Sequence, residues 1–503
     1  MVNILFIADD GFSGREVWFT DGTGANTWLL ADIWPGGGPS SPYGLTPFGA
    51  GRVLFAATDP VHGTEPRLTD GTGAGTVLLR DINTDPSDYR GSGAGNFTDL
   101  GDGRAVFTAI DAARGNGLWV TDGTAEGTQP VGGLPGPVPY AGGGRFAVIE
   151  PGRAVLAAGT PETGVELWTT DGTEAGTRLL RDINPGAGGS YPGTYSQGDL
   201  IALGDGRVLF SADDGTTGRE LWITDGTEEG TRLVVDLSPG GYVPYPDAPF
   251  YPSSSYPANL TLLAEGRALF TAATPDGGGT GLWVTDGTED GTLRLTDAPS
   301  SPSAVSGAYP SGILPLGDGR ALFAAESATL GRELWITDGT KGGTSVLADI
   351  WTGGGSGNPG GGSYLGSSPY GPYYPSGPYS PPYSPYVTGG QVALGDGRAM
   401  FSATDPYHGN ELWITDGTAG GTRLVKDINA NNQGFASSAP GQFASLGDGR
   451  AIFTATDGEN GLAPWISDGT EAGTFMLRSF LDAAPGFIPG SYLVLPDDSL
   501  LPG

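Results

Sequence analysis

Asp-Gly-Thr stands nine times at the centre of one recurring phrase, with its aspartates at Asp21, Asp70, Asp122, Asp171, Asp225, Asp286, Asp338, Asp416 and Asp468. The fullest copy is Glu220-Leu221-Trp222-Ile223-Thr224-Asp225-Gly226-Thr227. Successive copies lie 49, 52, 49, 54, 61, 52, 78 and 52 residues apart. A period near fifty marks one supersecondary unit repeated along the whole chain, and such a unit buries its apolar faces only by stacking on its neighbours.

The fixed distances describe the unit. A glycine precedes each aspartate by seven residues, from Gly14 to Gly461, and a threonine follows each by six. Eighteen residues before the aspartate, or nineteen in one copy, an arginine closes a Gly-Asp-Gly-Arg type of turn: Arg52, Arg104, Arg153, Arg207, Arg267, Arg320, Arg398 and Arg450. Short runs rich in β-branched and aromatic residues lie between these marks, for example Leu200–Leu203, Val208–Phe210, Leu221–Ile223 and Arg232–Val235. Each unit therefore reads as four antiparallel strands, a to d. In the c–d turn, aspartate can accept a hydrogen bond from the backbone two residues on, and glycine supplies positive φ without steric cost. Where other copies have glycine five residues after the aspartate (Gly75, Gly230, Gly421), the first has Asn26, which suggests a left-handed position there.

The two ends of the chain complete each other. Asn3 falls where the first unit would carry its arginine, so the chain enters on strand b, Ile4–Ala8. A matching strand a, Ser491–Leu495, follows the ninth turn. A split unit suits a ring, where the last strand latches onto the first hairpin and removes two sheet edges. Strand c is apolar on both faces, with Leu221 and Ile223 on one and Trp222 on the other, as a sheet stacked between two others requires. The expected fold is all-β: one closed β-propeller of nine four-stranded blades over residues 1–503, with a Gly/Pro/Ser/Tyr-rich loop insertion at 352–390.

The phrase resembles a bacterial repeat family recognised by its Glu-Leu-Trp-x-x-Asp-Gly-Thr signature, and the resemblance runs through almost the whole chain. Departures are Arg67 for Trp, Gly117, Gly281 and Ala463 for Glu, and Pro66 and Pro464 for Leu. The resemblance implies a propeller-like, often secreted bacterial protein and no particular catalytic activity. An extracellular or cell-surface location is the corresponding expectation, although Met1–Asp10 lacks the pattern of a secretory signal.

The net charge is −32, and repeat positions account for 27 of the 56 acidic residues. This acidity argues against nucleic acid and anionic membranes as partners. With no cysteine and no apolar run long enough to span a bilayer, thiolate chemistry and membrane insertion are not expected. His62 and His408, in matching Asp-Pro-x-His-Gly turns, read as duplicated sequence and not as a metal pair. No catalytic residue and no cofactor is expected; Ca²⁺ is the one ion the repeated carboxylates and turn carbonyls suit. The nine aspartates, with Arg207, Arg320 and Arg398, are read as structural turn residues, each arginine meeting the aspartate of its own blade.

Length varies almost entirely between strand d of one blade and strand a of the next, in stretches of Gly, Pro, Ser and Tyr that share one face with the b–c turns. The Ser-Pro-Tyr theme appears at Ser41, Ser368 and Ser384, and the longest stretch offers Tyr370, Tyr373, Tyr374, Tyr379, Tyr383 and Tyr386 as a ligand-binding loop. Tyrosine gives rigid amphipathic contact area at low entropy cost. The leading reading is a non-enzymatic, monomeric scaffold or adhesion module whose loops meet a protein or glycan. The alternative is a carbohydrate-binding propeller. A third reading, a hydrolase with paired carboxylates in the central channel, is open to a chain with 56 acids.

Overall fold

The computed structural model describes residues 3–49, 51–85, 90–132, 134, 146–193, 200–243, 250–273, 279–296, 308–327, 329–352, 355–360, 390–430, 436–479 and 492–495. These form nine four-stranded antiparallel sheets, arranged as a nine-bladed propeller, and one two-stranded hairpin. Blade 5 shows the pattern: strand a Leu200–Ala202, b Val208–Asp213, c Arg219–Thr224 and d Arg232–Val235. Among the described residues there is no helix, hence none long and apolar enough to cross a membrane. The a strands of successive blades lie side by side around the centre.

Tight turns hold the strands together, and the two glycine positions behave as the spacing demands. Gly218 of the b–c turn has φ 78° and Gly226 of the c–d turn 82°, and their counterparts in the other eight blades are left-handed too. Asp225 Oδ1 accepts from Thr227 N–H (2.8 Å) and Thr227 Oγ1 (2.7 Å). Thr224 and Thr231 then join hydroxyls at 2.8 Å across the same turn. The glycine five residues after the aspartate has a different reason from the one expected. Gly75, Gly230 and Gly421 are not left-handed; a Cβ there would land on the carboxylate of the turn's own aspartate. Asn26 is not left-handed either, and its amide donates to Asp21 Oδ2 at 2.6 Å. Space for the carboxylate, not backbone conformation, selects glycine.

Blades pack through alternate faces of their central strands. Leu221 and Ile223 lie in one apolar cluster with Phe270 and Trp283 of blade 6, whereas Trp222 lies in another with Val155 and Leu167 of blade 4. The ring closes by the same means. Tyr492–Leu495 pairs with the first strand, Asn3↔Leu495 through Phe6↔Tyr492, to complete blade 1. Val494 and Tyr492 pack with Ile452 and Ile466 of blade 9, and Leu493 faces Val53 and Phe55 of blade 2.

The arginines correct an expectation. The register Val208↔Thr224 does set Arg207 level with Asp225 of its own blade. The guanidinium is drawn instead to Asp205 of its own a–b turn, with Nε donating at 2.9 Å, and Nη1 reaches the carbonyl of Asp286 in the next blade at 2.8 Å. Arg104 meets the carbonyl of Asp171 and Arg398 that of Asp468 in the same way, and Arg320 lies against Gly417 beside Asp416. Arg450 lies against Gly22, carrying the series across the closure. The reason is competition: a carboxylate two residues away takes one edge of the fork, and the other edge satisfies a carbonyl that the neighbouring turn leaves open.

Removal of residues 490–503 takes away the a strand of blade 1 and the apolar contacts it makes with blades 9 and 2. The thermal midpoint should fall markedly and the hydrodynamic radius should rise; a truncated chain that melts like the parent would show that ring closure does not depend on this strand.

Candidate functional site

The face carrying the b–c turns and the d–a connectors is organised by a buried carboxylate. Glu220, fully buried on strand c, accepts from Leu237 N–H (3.0 Å), Ser255 N–H (2.8 Å) and Ser255 Oγ (2.5 Å). Glu16, Glu65, Glu166 and Glu411 grip Ser40, Ser92, Ser190 and Ser438 in the same manner, while Glu333 grips the backbone of Ile350 and Gly357. The gripped residue also bridges two blades: its carbonyl accepts from strand b of the next blade, as in Ser255 O with Ala273 N–H at 2.7 Å. Sequence reading missed this role. The available signal was a serine in the connectors that follow each Glu-Leu-Trp-type copy, which the variable spacing obscured. In the Glu-less blades the position is held by Gly117, Gly281 and Ala463.

Burial pushes these glutamates upward, with the hydrogen bonds opposing it, to about 7 for Glu16, Glu220, Glu333 and Glu411. Asp236, Asp349 and Asp427, on the strand-d side of the same joints, add to the rise. Asp225, in the c–d turn, goes the other way: side-chain and backbone donation from Thr227 holds it low.

The residue after each gripped position is left-handed: Ser41, Gly93, Tyr191, Tyr256, Asn358 and Ala439. A second left-handed position follows three or four residues after the gripped one, filled by Gly44, Asn96, Gly193, Asn259, Gly360 and Gln442. This double twist turns each connector into its a strand and leaves side chains standing on the loop face. Between blades 6 and 7 they border a cleft of about 580 Å³, lined by Tyr256, Asn259, Tyr309, Glu326, Arg332 and Asn358. A second cleft, of about 400 Å³, lies by the Asp59–Gly63 turn with Trp34 and Asp81. The connector 238–258 also holds the small hairpin, where the Tyr242 and Tyr251 rings stack at 5.9 Å.

The predicted residues divide accordingly. Tyr370, Tyr373, Tyr374, Tyr379, Tyr383 and Tyr386 lie outside the described residues. The nine aspartates and the arginines sit on the opposite face, in turns. His62 Nδ1 is 2.9 Å from Asp59 and His408 Nδ1 2.8 Å from Asp405, each within its own turn. Arg67, in place of the usual tryptophan, is buried and ion-paired with Asp59. Among the described residues no group of three or more His, Cys, Asp or Glu side chains could hold a metal ion.

A family model described as outer membrane protein assembly factor BamB matches residues 80–243. No curated protein sequence matches the chain. Among solved structures, a puromycin hydrolase is 16% identical with a TM-score of 0.35, covering 88% of this chain and 61% of its own. TolB from Acinetobacter baumannii is 11% identical with a TM-score of 0.29, covering 60% of this chain and 64% of its own. This chain thus spans about three fifths of the hydrolase's length. Both likenesses are distant, and no activity passes from them to this chain.

Two consequences are measurable. Glu411→Ala leaves three buried donors without an acceptor and should cost about 2–4 kcal/mol in urea unfolding. The pH dependence follows from the sign of the shifts. The raised glutamates contribute stability that is full below their ordinary value of 4.5 and is lost as pH climbs through about 7. The lowered aspartates contribute stability that is lost as pH falls below their ordinary 3.8. Thermal midpoints should therefore peak near about pH 5 and decline toward about pH 8; a midpoint that rises over that interval would contradict the assignment.

Proposed function

We propose that the chain is a non-enzymatic binding ring of the Glu-Leu-Trp-x-x-Asp-Gly-Thr repeat type, displayed outside the cytoplasm, which meets its ligand with the loop-bearing face. One observation carries this reading: the exposed aromatic side chains concentrate on that face. Phe12 and Tyr407 stand at b–c turn tips, 72% and 75% exposed, and Tyr43, Tyr191, Tyr242, Phe250, Tyr251, Tyr256 and Tyr309 stand on the connectors or the strand ends they lead into. The other face is given to the repeated turns, whose aspartates and arginines are engaged with one another and with neighbouring carbonyls. Exposed aromatic patches of this kind mark interaction surfaces. The match to an outer-membrane assembly factor model supports an envelope or surface setting.

The test compares the two faces. Labelled ring protein is allowed to adsorb to intact bacterial cells, alongside a loop-face variant (Phe12→Ser, Tyr242→Ser, Tyr407→Ser), a strand-d variant (Trp28→Ser, Phe475→Ser), and a variant with 352–390 replaced by a short Gly-Ser linker. Adsorption should fall at least tenfold for the loop-face variant and also weaken for the linker variant, with folding unchanged in both. Retention by the loop-face variant together with loss in the strand-d variant would overturn the assignment of faces.

A further inference from the structure

Resting on the loop-face reading, we propose that the cleft between blades 6 and 7 is a binding site for a neutral oligosaccharide, with Tyr256 and Tyr309 as its stacking platforms. Four residues bordering it are non-glycine and left-handed: Tyr256 (φ 48°), Asn259 (54°), Tyr309 (51°) and Asn358 (43°). At the first of the two left-handed positions the other joints carry Ser41, Gly93, Tyr191 and Ala439, and at the second Gly44, Gly193 and Gly360 stand where blade 6 has Asn259. A bulky side chain in this region is a true outlier, and such strain collects at ligand sites. Glycine, as at Gly93, meets this backbone without that cost, whereas the two joints bordering the cleft carry exposed tyrosine rings there.

The rings are also held ready. Tyr309 lies against Gly279, whose missing side chain makes room for the phenol ring. Its carbonyl accepts from Arg332 Nη1 at 2.9 Å, and the same guanidinium binds Ser311 Oγ and Ala324 O. Arg332 is therefore a positioning residue. Tyr256 is tied through its N–H to Arg219 O at 3.3 Å, and its side chain stands 65% exposed, against 53% for Tyr309. Fixed platforms of this kind reduce the ordering cost of binding.

The polar groups suit sugar hydroxyls. Glu326, across the hairpin from Arg332 in the strand register, supplies a carboxylate, and Asn259 and Asn358 supply amides that can both donate and accept. Two aromatic faces with a carboxylate and amides between them match a pyranose, which offers an apolar face and a rim of hydroxyls. The net charge of −32 repels polyanionic glycans and selects neutral ones.

The experiment is calorimetric titration of the full chain with cellohexaose, laminarihexaose, chitohexaose and mannohexaose, with thermal melts of each variant. At least one hexaose should bind, and Tyr256→Gly and Tyr309→Gly should each weaken it tenfold or more while the melting midpoint stays at or above the parent's. Phe475→Ser, on the strand-d side and remote from the cleft, should leave the affinity unchanged. Absence of binding by all four hexaoses, or affinities indifferent to both glycine variants, overturns the proposal; so does a fall in midpoint on either replacement, which would make the rings packing elements. If the hexaoses fail while cell adsorption remains sensitive to the loop-face variant, the glycan assignment alone is overturned. Loss of both removes the loop-face reading with it.

Discussion

The buried glutamate on strand c is the interaction on which the loop face depends. A propeller must carry its chain from the outer strand of one sheet back to the inner strand of the next, and this passage brings polar backbone into the seam between two apolar faces. Unpaired, those N–H groups would oppose packing by more than the apolar contacts gain locally. Glu220 resolves the conflict with two oxygens that take the backbone at Leu237 and Ser255, after which Ser255 offers its carbonyl to the following blade. On the opposite face the same seam is spanned by Arg207 reaching Asp286. Each such joint is thus tied at both rims, with Leu221, Ile223, Phe270 and Trp283 between them.

The acidity of the chain takes on a different meaning in this light. The carboxylates of the Asp-Gly-Thr and Gly-Asp-Gly turns on one face, and the strand-c glutamates at the connectors on the other, are consumed by local work. Pairs such as Arg207 with Asp205 are about one third exposed, so each contributes only on the order of 0–1 kcal/mol. Their value lies in geometry: the aspartate fixes one edge of the guanidinium so that the other is aimed at the neighbouring turn.

Much of this architecture was legible in the residues. Glycine at two rigid spacings announced left-handed turns, the alternation at Leu221-Trp222-Ile223 announced a sheet packed on both sides, and Asn3 opposite a late strand announced closure. What escaped reading involved partners far apart in sequence or in different blades. The distance from Glu16 to Ser40 is 24 residues but from Glu220 to Ser255 it is 35, so no fixed spacing reveals the grip. The register correctly placed Arg207 by Asp225, yet the choice between its own aspartate, Asp205 and the next blade is made by three-dimensional competition that a two-strand diagram omits. The cleft residues were hidden for a related reason, since Tyr256, Tyr309 and Asn358 come together only when three connectors lie side by side.

The pairing that completes blade 1 also sets how the ring would respond to force. Because Asn3 faces Leu495 while Phe6 faces Tyr492, the two chain ends leave the sheet on the same side. Tension drawn between them would peel the strands apart one residue pair at a time and not shear all four together. Elsewhere each seam between neighbouring strands of a blade is closed at one end by the turn that joins them, so the closing seam is the ring's zipper, and mechanical load, where it acts through the ends, is concentrated on a single pair at each moment.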